Sequence, residues 1–146
     1  MKPSINCINL IKTFEGYRPN AYVDSVGVVT IGYGSTHWMD GKKIRLGEKI
    51  TLEGAELLLH WELNKSNVID DLSLTQNQYD ALTSFIYNCG VNAFLKSTLF
   101  KKIKINANDI QIKNEFLKWN KGNGKVIKGL TNRRNAEAEL YFKNNG

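Results

Sequence analysis

Covalent staples, metal ligands and chain breakers are all scarce in this sequence. Its 146 residues include two Cys, two His and two Pro. Two cysteines make no disulfide framework. Cys7 and Cys89 each lie in an apolar helical pattern and read as small buried hydrophobes, with a Cys7–Cys89 bridge as the alternative. His37 and His60 stand alone, with no CxxC or HxxxH spacing, so no zinc site and no cofactor is implied. No run reaches the roughly 18 apolar residues of a membrane span. The segment up to Lys12 is broken by Asn6 and Asn9 and reads as neither signal peptide nor signal anchor. No GxSxG is present for a nucleophile elbow. Gly32-Tyr33-Gly34 lacks the third glycine and the strand–loop–helix setting of a phosphate-binding loop. Internal repeats and low-complexity stretches are also absent.

What is present suits one globular domain. Apolar residues make up 42% of the chain, and three Trp, six Tyr and six Phe argue against disorder. The net charge is +6, but it is unevenly placed. Residues 1–95 carry 8 basic and 10 acidic side chains, whereas residues 96–146 carry 12 and 4. Such a basic third suggests an anionic partner: nucleic acid, a membrane surface or an acidic wall polymer.

The hydrophobic pattern predicts helix, then a small β region, then helices to the end. Ser4 caps a helix over about 5–15, in which Ile5, Ile8, Ile11 and Phe14 recur by threes and which Gly16 stops. Residues 20–35 read as a hairpin with its turn at Gly27. Residues 36–50 are irregular, with room for a third short strand. Thr51 caps a long helix over about 52–70. Thr75-Gln76-Asn77-Gln78 fits a capping box, starting a helix that runs to Cys89 and stops at Gly90. Further helices are expected near 96–104, 108–119 and 131–143, with a loop at 121–125. Strands gathered in one stretch and helices elsewhere make an α+β class. A small β lobe of about 16–50 is joined by the 52–70 helix to a larger helical lobe of about 72–146, which also takes the N-terminal helix.

Three residues in this frame suggest chemistry. Glu15 sits in the last turn of a helix, where the macrodipole opposes negative charge. A carboxyl kept protonated there suits a general acid, although a surface helix can also simply end in Glu. A turn centred on Gly27 sets Asp24 opposite Thr30, with Cβ atoms about 5 Å apart. Such a pair can hold a water between carboxylate and hydroxyl; its plainer reading is a polar pair on a solvated face. One acid donor plus a carboxylate and a water-holding hydroxyl is the equipment of an inverting glycoside hydrolase.

These residues also carry a resemblance. Glu15, Asp24 and Thr30, spaced nine and six apart, resemble the Glu–Asp–Thr triad of the phage-type lysozymes, the endolysins of glycoside hydrolase family 24. Phe14-Glu15-Gly16, the segment Gly27 to Gly34, the helix from Gln78 to Gly90, and Gly129-Leu130-Thr131-Asn132-Arg133-Arg134 are similar to that family's motifs. The resemblance runs from about residue 10 to 141. It implies a lysozyme-like fold and cleavage of the β-1,4 bond between N-acetylmuramic acid and N-acetylglucosamine in peptidoglycan. Glu15 would be the general acid, and Asp24 with Thr30 would direct the water. Arg133 would approach and orient Glu15. Asn88 and Tyr33 would support substrate binding, and Trp38 is a candidate for stacking on sugar. Some members of that family carry an N-terminal signal anchor; without one, this sequence resembles the type made in the cytoplasm and let through to the periplasm by a holin, and a monomer is expected. Scattered lysines and no nucleic-acid module argue against a nucleic-acid partner. The basic 96–146 region would then attract anionic wall or outer-membrane polymers. Two other readings compete: a lytic transglycosylase, and a basic membrane-active or polymer-binding protein.

Overall fold

The computed structural model describes residues 1–65 and 67–144. The chain forms two compact units. The smaller comprises Ile11–Lys65 with Lys2; the larger comprises Met1, Pro3–Leu10 and Ser66–Gly146.

Helix α1 (Ile5–Glu15) has the expected bounds. The Ser4 hydroxyl accepts from the Asn6 amide, while the Asp80 carboxylate accepts from both the Ser4 amide and the Ser4 hydroxyl. That grip anchors the start of the helix within the larger unit. At the other end, Gly16 takes a left-handed φ of 70°, which turns the chain out of the helix at no side-chain cost.

In the smaller unit, β1 (Arg18–Val23) and β2 (Val29–Gly32) pair antiparallel. The expected third strand in 36–50 is reduced to single bridges, among them His37 with Lys43 and Asn20 with Lys49. Helix α2 (Leu52–Leu63) is capped by Thr51, whose hydroxyl accepts from the Gly54 amide at 3.0 Å. It ends at Leu63 with Asn64 at its C-cap, short of the expected 70. The polar run Asn64-Lys65 lacks the apolar side chains that would continue a packed face. Gly32 lets β2 approach α2 closely, since a Cβ there would stand 3.1 Å from the Ala55 Cβ.

The larger unit is built on α3 (Gln76–Cys89), whose Thr75–Gln78 capping box forms in both directions. The remaining helices are α4 (Val91–Lys96), α5 (Thr98–Ile105), α6 (Ile112–Leu117) and α7 (Lys128–Phe142). Phe85 of α3 is the hub of its core, with Phe94, Phe116 and Trp119 edge-on at 5.4–6.1 Å between ring centroids. The segment expected as a loop at 121–125 is a hairpin, β3 (Lys121–Gly122) with β4 (Lys125–Val126). Asn123 and Gly124 both take positive φ there, the two-residue turn that matches strand twist. No helix among the described residues is long and apolar enough to cross a membrane. Both cysteines are free thiols.

Candidate active site

Glu15, Asp24, Thr30 and Tyr33 all belong to the smaller unit. Glu15 is half-buried at the end of α1. Just beyond it, the Tyr17 hydroxyl donates to the Ile50 carbonyl at 2.8 Å, and the Tyr17 ring lies 5.9 Å from that of Tyr33. Tyr33 is buried, with the Lys12 ammonium 5.5 Å from its ring centre. The Lys12 ammonium also pairs with Glu56 at 2.6 Å, a hydrogen bond that holds the ammonium pKa up.

The hairpin register corrects one expectation. Thr30 lies opposite Tyr22, and Val29 opposite Val23, so Asp24 and Thr30 are diagonal rather than directly paired. For a regular ladder that diagonal is about 7–8 Å between Cα atoms. The cause is the turn. Gly27 is the last residue of a three-residue loop, not its centre, and takes the left-handed φ of 86°. Asp24 closes this loop. Its amide donates to the Val28 carbonyl at 2.9 Å, and its carbonyl accepts from the Gly27 amide at 3.1 Å. Its Oδ1 accepts from the amides of Val26 at 2.9 Å and Val28 at 2.8 Å. Oδ1 is therefore occupied by the backbone, and Oδ2 is the oxygen available to a further donor. The buried Thr30 hydroxyl donates to the Val28 carbonyl at 3.0 Å, which leaves its oxygen lone pairs as acceptors.

Tyr22 was given no role from the sequence, although it stands between Glu15 and Asp24. Burial pushes its phenol pKa up. The Arg18 guanidinium opposes that shift, and the Glu15 and Asp24 carboxylates add to it. Both candidate carboxylates therefore lie within electrostatic reach of one ring. The Arg18 guanidinium stands 3.9 Å from the centre of that ring. The available signal was strand period two, which sets residues 18 and 22 on one face.

Trp38, half-buried, donates from Nε1 to Glu48 Oε1 at 3.2 Å. It borders an open apolar cavity of about 430 Å³ with Met39, Ile50, Gly54, Leu57 and Leu58. The His37 ring is held by the Thr36 hydroxyl at 2.9 Å.

Asn88 and Arg133 belong to the larger unit. Arg133 is buried, with Nη2 donating to the Ser84 carbonyl at 3.3 Å and Nε standing 3.4 Å from Glu137 Oε2. Its neighbour Arg134, part of the same family-like motif but given no role of its own from the sequence, is fully buried. It meets Glu137 through Nε at 2.7 Å and Nη2 at 3.2 Å, with its guanidinium 5.0 Å from the Phe85 ring centre. Ser84 donates to the same Glu137 carboxylate at 2.6 Å. Burial pushes the Glu137 carboxyl up, and the two guanidiniums and Ser84 pull it back. The sequence signal for this cluster was the i,i+3 and i,i+4 spacing of Arg133 and Arg134 to Glu137. Arg134 Nη2 also donates to the Oδ1 of exposed Asn88 at 2.8 Å. Arginine has no acceptor, so the amide oxygen must face it. The NH₂ of Asn88 is then the group presented to solvent.

Comparison with known proteins places this geometry among relatives. The family model described as phage lysozyme matches residues 12–137. An endolysin of Bacillus phage B103 is 44% identical over 142 residues, which cover 92% of this chain and 52% of that protein. The chain thus spans about half the length of that relative. An endolysin of Acyrthosiphon pisum secondary endosymbiont phage 1 is 40% identical, covering 90% of this chain and 92% of its own length. Among solved structures, the endolysin from Escherichia coli O157:H7 phage FAHEc1 superposes with a TM-score of 0.83 at 38% identity, covering 97% of this chain and 94% of that one.

Proposed function

Because this chain belongs to the phage lysozyme family, we propose that it is a muramidase-type endolysin. It hydrolyses the β-1,4 bond between N-acetylmuramic acid and N-acetylglucosamine in peptidoglycan, with inversion, and so lyses bacterial cells. The observations that support this reading are the match to the phage lysozyme family over residues 12–137 and the hairpin that holds Asp24, with Oδ1 tied to the Val26 and Val28 amides, diagonal to Thr30. Glu15 donates its proton to the glycosidic oxygen as the bond to the anomeric carbon breaks. Asp24 Oδ2 and the Thr30 hydroxyl are both acceptors, so one water can give a hydrogen to each. That water's lone pair is then free to attack the anomeric carbon from the opposite face, and its proton passes to Asp24. Tyr33, Asn88 and Arg133 are supporting residues in the same proposal.

The enzyme acts on the wall in the periplasm, as a monomer, once a holin has opened the inner membrane. Its surface lysines hold it near anionic wall or outer-membrane polymers. Two assays test the reading together. Glu15→Gln should lower muralytic activity by several hundredfold or more, in line with about 10²–10⁴ for general acid catalysis, while the thermal midpoint moves by only a few degrees. Mass spectrometry of wild-type digests should find new reducing ends. Glu15→Gln activity within tenfold of wild type would remove Glu15 as the acid, and 1,6-anhydro-muramyl products would favour a transglycosylase.

A further inference from the structure

We propose that Arg18, mounted on the Tyr22 ring, is a docking point for a carboxylate of the peptidoglycan stem peptide, and so a specificity-determining residue. The inference rests on the muramidase reading. Arg18 is exposed, and its contact is the ring face of Tyr22 at 3.9 Å. Although Glu15 and Asp24 both reach that ring electrostatically, no hydrogen bond or ion pair among the described residues engages the Arg18 guanidinium. A guanidinium packed on an aromatic face keeps its in-plane N–H donors for another group. Those donors form a planar fork that matches a carboxylate bidentately.

The mount is also rigid. The backbone just after Arg18 is tied down: Ile50 donates to the Pro19 carbonyl at 2.9 Å, and Ala21 donates to the Glu48 carbonyl at 3.0 Å. The pairing of β1 with β2 is irregular between Arg18 and Tyr22, the kind of kink that re-aims a side chain beside a site. A cation in this place, unpaired and preorganised, loses little entropy on taking an anionic group. In the proposed substrate the glycan itself is uncharged, and the anionic groups nearest the cleaved bond are the carboxylates of the peptide on muramic acid.

The test compares three soluble glycan substrates: native peptide-bearing strands, the same strands with their carboxylates amidated, and strands stripped of peptide by an amidase, with the lactyl carboxylate that the amidase leaves on each muramic acid then amidated. For the wild type, kcat/KM should be highest on the native strands. Arg18→Gln should cut the ratio of kcat/KM between native and stripped strands about tenfold, mainly through KM, as expected for losing one charge-assisted contact. Amidation should reproduce that loss in the wild type and add nothing to it in Arg18→Gln. Arg18→Lys, which keeps the charge without the fork, should fall between. Equal losses on all three substrates would overturn the docking role, as would an unchanged ratio. If the wild type releases no reducing ends from any of the three, the muramidase reading itself fails.

Discussion

Asp24 divides its work between two oxygens. Oδ1 closes the β1–β2 loop through the amides of Val26 and Val28, while Oδ2 is available to a water. Asp24→Asn keeps an oxygen that can accept both amides but removes the charge and, in the proposed mechanism, the base. Muralytic activity should fall at least a hundredfold, with the thermal midpoint little changed. Asp24→Ala removes both roles and should also destabilise the hairpin by roughly 1–2 kcal/mol. Chemical denaturation of the two variants side by side separates the jobs. The spacing of Glu15, Asp24 and Thr30 was legible in the sequence. The exact pairing was not, because a glycine between two strands does not say whether it is the middle or the last residue of the loop. Tyr22 was overlooked because aromatic residues in strands are usually packing residues, and only its neighbours reveal otherwise. Cys7 offers a separate test at this scale. It is fully buried, and burial together with the nearby Asp80 and Glu137 pushes its thiol pKa up against the pull of Arg133. The protonated thiol is not the nucleophile. Native protein at pH 8 should therefore leave Cys7 unlabelled by a thiol reagent, and unfolding in denaturant should expose it to reaction.

Elements follow the same division between local and distant causes. The capping box at Thr75 was readable because it lies within four residues and joins one hydroxyl, one amide side chain and two backbone groups. Thr75→Ala should cost about 1 kcal/mol in a urea titration. The core of α7 is different. Glu137 is fully buried between two buried guanidiniums and the Ser84 hydroxyl. Glu137→Gln would take the anion away from the fully buried Arg134 guanidinium and should cost about 3–5 kcal/mol. A loss under 1 kcal/mol would mean that water reaches this cluster. The helix bounds of α1 and the cap of α2 were legible, but the end of α2 was not, because a fading apolar stripe marks no sharp stop. Residues 121–125 formed a hairpin because Asn123 and Gly124 accept positive φ, a signal present in the sequence but read only as loop chemistry.

Over the whole molecule, the charge asymmetry becomes a surface property once pairing is known. Arg133 and Arg134 are committed inside with Glu137, and Lys118 pairs with buried Glu115 at 3.0 Å. The basic excess of residues 96–146 is therefore borne by exposed lysines such as Lys101, Lys104, Lys113, Lys121, Lys125 and Lys128. If these hold the protein at an anionic wall, lysis of whole walls should slow as salt rises from about 50 to 200 mM, as the Debye length shortens. Hydrolysis of short soluble glycan should change much less over that range, and equal sensitivity of the two would assign the salt effect to the cleavage site instead.

By itself the sequence determined the class of the fold, the helix caps, the candidate carboxylates and the sign of the charge. Each depends on residue type and short spacing, which obey local rules of periodicity, capping and backbone freedom. The tertiary structure decided which carboxylate oxygen is free, which arginines are buried and which remain unpaired, and that one tyrosine lies within reach of both acids. Those are questions of which distant groups share a volume, and burial and pairing in three dimensions alone set their answers.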